Sequence, residues 1–239
     1  MVTLLAAAFF LLQAEPEQKS WEFHHQTAAP ASPSKEAIET APSKATLTVT
    51  LGQSAAFGSP SVTTKFDRGV VTTFEVGSFN NRSLKIDFIG GEVKYKRGDE
   101  AVMTRRLKNQ PEMVVIERQE ADPASWVHLV RGDKFRKLKK SETIRVPIYS
   151  VSFNTHLEAD IQAAFFGEMV LAGSKGKVKA RRYEVARDKT RWTIWADEAG
   201  DLVAMKTVAW VRGDERYMTT YQSRADVFDG PDVKAAPKD

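Results

Sequence analysis

The chain has 239 residues, 42% of them hydrophobic and 28% charged, which is enough apolar material for one sizeable core. The formal net charge of +4 falls short of the dense Lys/Arg footprint of a dedicated nucleic-acid binder, so nucleic acid is not expected as a partner. Cysteine is absent, which removes disulfides, thiolate metal sites, thiol catalysis and a lipid-anchored N-terminal cysteine.

The first residues have the form of a targeting segment. Leu4 to Leu12 is an apolar run of signal-peptide length, and Gln13-Ala14 offers a cleavage site, although Met1-Val2-Thr3 carries no Lys or Arg. Residues 1–14 are therefore expected to be an export signal and the protein periplasmic or secreted. The run is too short to cross a bilayer, so no stable membrane span is expected. Residues 15–45 contain Pro/Ala/Ser/Thr-rich stretches at 27–34 and 40–43, poor in large apolar side chains. Such a segment buries too little to offset its ordering entropy and is expected to be a disordered linker. His24 and His25 lie inside it. Two adjacent imidazoles without a carboxylate constellation do not define a metal site, and no metal or cofactor is expected.

Residues 46–230 are expected to form one β-rich domain, with 231–239 a disordered tail. Thr46 to Leu51 alternates cleanly, and Val70 to Val76 is rich in Val, Thr and Phe. Leu84, Ile86 and Phe88 face one way, Lys85 and Asp87 the other, and Gly90-Gly91 is a two-residue hairpin turn. Further strands are expected over Val93–Tyr95, Ala101–Leu107, Met113–Ile116, Trp126–Val130, Lys134–Lys140 and Ile144–Phe153. Pro147 suggests an edge or a bulge in the last of these. Sequence-adjacent strands should pair as an antiparallel meander. One helix is expected around Leu157–Phe166. Asn154 or Thr155 could cap it, Glu158 and Asp160 lie in its first turn, and Leu157, Ile161 and Phe165 share a helical face. Gly176 to Val211 reads as strands around an acidic turn, Asp197 to Asp201.

Three Arg-Gly-Asp triplets, at 97–99, 131–133 and 212–214, are read as turn chemistry rather than adhesion motifs, because each separates two strand patterns and puts Gly where a type II′ turn needs positive φ. Asn81-Arg82-Ser83 matches a glycosylation sequon, a pattern expected by chance. Two basic runs stand out as a candidate anionic-partner surface: Lys134, Arg136 and Lys137, and the alternating Lys175, Lys177, Lys179 and Arg181. No catalytic signature appears. His128 reads as a core or rim histidine, His156 as part of a helix start, and Asp197, Glu198 and Asp201 as a turn rather than a calcium loop.

Ala180-Arg181-Arg182-Tyr183-Glu184-Val185, followed by Thr193-Ile194-Trp195-Ala196-Asp197-Glu198-Ala199-Gly200-Asp201-Leu202-Val203, resembles the C-terminal signature of a group of uncharacterised bacterial periplasmic domains. The departures are Ala196, where an aromatic is usual, and Asp201, where Arg is usual. That group is similar in fold to the lipoprotein carrier LolA and to VioE. The resemblance implies a mainly β (α+β) fold, a curved antiparallel sheet forming an incomplete barrel packed on one short helix. It also implies a periplasmic protein that holds a hydrophobic ligand or scaffolds envelope partners. Phe74, Phe88, Trp126, Phe153, Trp192 and Trp210 are the candidate lining of a concave lipid cavity. Two functions follow as expectations. One is a non-enzymatic exported module holding a lipid in its concave face. The other is an envelope module with a filled core that binds proteins or anionic glycans.

Overall fold

A computed structural model of the chain describes residues 18–28, 43–50, 54–59, 62–67, 70–79, 82–116, 123–151, 156–211, 216–230 and 233–235. The expected export signal and the linker core at 29–42 lie outside them. In chain order, a first run of strands is β1 (Gln18–Ala28), β2 (Ser43–Thr50), β3 (Ser54–Ser59), β4 (Val62–Asp67), β5 (Val70–Phe79), β6 (Arg82–Ile89), β7 (Glu92–Arg97) and β8 (Met103–Arg106). Then come β9 (Met113–Ile116), α1 (Pro123–Arg131), α2 (Asp133–Arg136) and β10 (Thr143–Val151). The chain continues with β11 (His156–Gly173), β12 (Gly176–Arg187), β13 (Thr190–Ala196), β14 (Leu202–Val211), β15 (Arg216–Arg224) and β16 (Lys234–Ala235).

All these strands belong to one sheet, ordered β8-β7-β6-β5-β4-β3-β2-β1-β15-β14-β13-β12-β11-β10-β9, with β16 on β11. Two meanders are thus joined through β1, which pairs antiparallel with β2 on one side and β15 on the other. The sheet curls until its arms approach. The Val71 amide donates to the Pro111 carbonyl at 3.3 Å, and the Gln110 side-chain amide donates to the Val71 carbonyl at 2.8 Å. The result is a mainly β half-barrel with two short helices in its mouth.

Several expectations hold in detail. Leu84, Ile86 and Phe88 are buried while Lys85 is exposed. Gly90 and Gly91 both have positive φ, +59° and +80°, the geometry of a type I′ hairpin turn whose twist matches the flanking strands. Gly98 has φ +54° and the Glu100 amide bonds the Arg97 carbonyl at 3.0 Å, the expected tight turn. The Gly176–Val211 stretch folds as β12, β13 and β14 around the acidic turn. The triplet at 212–214 lies outside the described residues.

Other expectations are corrected. The segment 15–45 is not linker throughout. Residues 18–28 form β1, and Phe23 within it is fully buried in the core. The tail 231–239 contributes β16. No helix forms at 157–166. That stretch belongs to the 18-residue strand β11, and Gly167 marks a register shift rather than a helix end. The helices lie where strands were expected. Pro123 opens α1 at a position where its missing N–H costs nothing. Gly132 has φ −63° and forms the N-cap of α2, so the triplet at 131–133 joins two helices instead of turning a hairpin. The helices make a crossover, and β9 therefore pairs parallel to β10 in an otherwise antiparallel sheet. Pro147 sits inside β10 with no register shift, just before the residues that pair with β9.

The main core occupies the concave face. Phe74, Val76, Ile86 and Phe88 come from one arm, and Val185, Trp192, Ile194 and Met205 from the other. Trp126, Val127, Leu129, Val130, Phe135 and Leu138, from α1, α2 and the turn after them, fill the space between. A smaller cluster on the convex face gathers Leu171, Ala180, Val203, Val227 and Phe228.

Candidate functional site

The concave aromatic residues converge, but on each other. Phe74, Phe88, Trp126 and Trp192 are 0%, 4%, 1% and 1% exposed. The Trp126 and Trp192 rings lie 5.2 Å apart, and Phe88 meets Tyr149 edge-on at 5.3 Å. Such pairs add about 0.5–1.5 kcal/mol beyond the area they bury. The side chains of Phe153 and Trp210 lie outside the described residues. Phe135 packs on Tyr183 at 5.3 Å, and the Tyr183 hydroxyl donates to the Phe135 carbonyl at 3.2 Å, fastening α2 to β12. Burial pushes the Tyr149 hydroxyl up to about 12.

The basic residues do not form one open patch. Lys134 bonds Glu112, and Lys137 bonds Asp133 at 2.7 Å. Lys179 lies between Glu168 at 3.3 Å and Glu198 at 3.0 Å, which hold its ammonium above the usual lysine range. The Lys175 ammonium donates to the Ala225 carbonyl at 2.8 Å. Lys177 is exposed at the start of β12 and Arg136 is exposed on α2. Arg181 turns toward the helices. Its guanidinium donates to the Arg136 carbonyl and, at 2.8 Å, to the Leu138 carbonyl, and lies 4.3 Å from the Phe165 ring centre. It caps the end of α2 as a helix C-terminus prefers.

Residues that sequence reasoning missed hold one end of the half-barrel together. Arg131, at the end of α1, donates from Nε to Asp201 Oδ1 at 2.6 Å, and its guanidinium lies 5.7 Å from the Trp21 ring. Asp197 Oδ1 accepts the Asp201 amide at 2.8 Å, and its other oxygen accepts from Arg224 at 3.1 Å. The acidic turn is therefore a clasp linking α1, β13, β14 and β15. The acidic residues were visible in the sequence; partners 70 and 27 positions away were not. Glu158, expected at a helix start, accepts the Lys108 and Asn109 amides at 2.7 and 3.1 Å. The side chains of His128 and His156 lie outside the described residues.

The convex face carries a groove of about 270 Å³, lined by Arg182, Thr193, Trp195, Lys206, Tyr221 and Val233. Arg182 stacks on Phe166 at 4.4 Å and is gripped by Glu184 through Nε and Nη2 at 2.8 and 2.5 Å. Lys206 lies over the Tyr221 ring at 5.4 Å. The Trp195 indole N–H points at the Met169 sulfur, 3.2 Å away.

No protein-family model matches the chain, and no curated protein matches it. Among solved structures it is similar to a β-barrel-like protein of a domain of unknown function, DUF1849, from Brucella abortus. That match has 9% identity over 94% of this chain and 99% of the other, with a TM-score of 0.46. It is also similar to the hypothetical lipoprotein YmcC from Escherichia coli, with 10% identity over 89% of each chain and a TM-score of 0.32. No helix among the described residues is long and apolar enough to cross a membrane.

Proposed function

We propose that this chain is a non-enzymatic binding module of the bacterial cell envelope, periplasmic, which works from its outer surface around a filled core. The observation that carries this is α1 seated in the concave face, with Trp126 against Trp192 and both 1% exposed. A lipid held there, as the likeness to LolA and VioE suggested, would have to displace the helix. Exposing Val127, Leu129 and Val130 alone costs roughly 1.5–3 kcal/mol each, and Trp126 adds more. That sum rivals the 5–15 kcal/mol that typically holds a whole domain together. A role other than catalysis is supported by how the carboxylates are employed: Asp197 and Asp201 are clasped by arginines, and Glu158 serves backbone amides.

The test is native mass spectrometry, with organic extraction, of protein purified without detergent from the envelope. A clean protein mass, unchanged after incubation with envelope lipids, is expected. A stoichiometric lipid adduct would overturn the proposal and restore the concave face as the site.

A further inference from the structure

The convex groove is built from an irregularity. In β11 the register with β12 shifts between Phe165 and Gly167, and Gly167 adopts φ +149°. Phe166 faces outward with Gln162 and Ala164 and is 58% exposed, and the bulge sets Gly167, which has no side chain, opposite Arg182, so the guanidinium can lie over the Phe166 ring. The Arg182 guanidinium carbon lies over that ring, 4.4 Å from its centre. Because Glu184 holds its Nε/Nη2 edge, the guanidinium is fixed where it lines the groove. Glu184 is itself held by the Thr193 hydroxyl at 3.2 Å.

The cross-strand register sets the rest. Trp195 stands opposite Arg182, and Lys206 stands opposite both Thr193 and Tyr221. Two cation–aromatic pairs, Arg182 on Phe166 and Lys206 on Tyr221, therefore flank an indole. Arg182 and Lys206 lie two strands apart and two residues offset along them, roughly 12 Å at the usual strand spacing and rise. Among the described residues no carboxylate is set against Lys206. The Trp195 N–H has only a thioether as acceptor, a weak partner that a ligand oxygen would better.

These features call for a ligand with flat, weakly polar faces to stack on the rings, oxygens to accept from the indole, and anionic groups to meet the two cations. A lipid chain would find too little enclosure here. A nucleic acid would need a longer cationic track, and Glu184 interrupts this one. We propose that the groove binds an acidic oligosaccharide, its rings stacked on Trp195 and Tyr221 and its carboxylates met by Arg182 and Lys206. This rests on the surface-binding function above.

The test titrates the full chain with trigalacturonate, with neutral maltotriose, with free galacturonate and with an oligothymidylate, followed by calorimetry. Trigalacturonate should bind saturably and at least tenfold more tightly than maltotriose. The R182M/K206M double substitution, which keeps an apolar stem over each ring, should weaken it at least tenfold while leaving the thermal midpoint unchanged. Free galacturonate, with one ring and one carboxylate, should bind more weakly than the trimer; binding as tightly would overturn the proposal. No saturable binding, equal affinity for maltotriose, affinity unaffected by R182M/K206M, or tighter binding of an oligothymidylate would overturn the proposal. Lipid extraction of the same preparation decides the filled-core function separately, so the two can fail independently.

Discussion

Arg131 and Asp201 show how a single contact can organise an end of the molecule. Their side chains are 16% and 9% exposed, so the pair meets largely out of water. Removing one partner of a buried pair strands the other, at a typical cost of 3–5 kcal/mol, whereas replacing both by neutral groups costs much less. Arg131→Met is therefore expected to lose about 3–5 kcal/mol in urea denaturation, and the R131M/D201N pair to recover part of it. A double substitution no better than the single one would show that the arginine acts through packing on Trp21 instead. The acidic turn could be read in the sequence as a turn because Asp and Gly signal one locally. Its role as a clasp could not, because nothing near Asp201 in the chain points to an arginine on a helix.

Among the elements, β1 and β11 carry the lesson about legibility. Leu157, Ile161 and Phe165 are four apart, and four is a multiple of two, so this spacing places residues on one side of a strand as well as of a helix. Ala163, buried between exposed Gln162 and half-buried Ala164, settles the period as two. In α1 the error runs the other way. Trp126 and Val130 suited an alternating strand, but Val127 and Leu129 are buried too, as a helix wedged between two sheet arms requires. The type I′ turn at Gly90-Gly91 and the strands around Asp197–Asp201 were legible because their signals are local. The convex groove was not, since it depends on a bulge and on register across five strands. β1 was hidden by its polar and proline-rich surroundings. Within it, His25 Nδ1 lies 2.9 Å from the Gln222 amide, and burial holds the imidazole below its ordinary pKa. The folded strand thus disfavours the charged ring. Stability from this residue is complete above about pH 6.5 and declines as pH falls from there toward the lowered folded value. The thermal midpoint should drop between pH 7 and pH 5, and by less in His25→Gln; parallel curves for the two proteins would clear His25 of the effect.

At the scale of the whole molecule, β1 is the one strand that unites the two meanders. Without it, β2 and β15 both become open edges and the sheet divides in two. A chain beginning at residue 18 should melt as one cooperative unit by circular dichroism, and a chain beginning at residue 29 should not. Cooperative melting of the shorter chain would mean that the C-terminal meander and helices stand by themselves. The same strand also governs when the protein can mature. His24 meets the Phe228 carbonyl across 204 positions of sequence, so the first strand made must await one of the last. At the usual 5–20 residues per second, synthesis of that stretch takes roughly 10–40 s. Throughout that interval β1 has only β2 beside it, and its other edge is an invitation to stray pairing. Newly made chains therefore face a period of vulnerability that lasts at least as long as their synthesis, and longer where the chain must first cross a membrane.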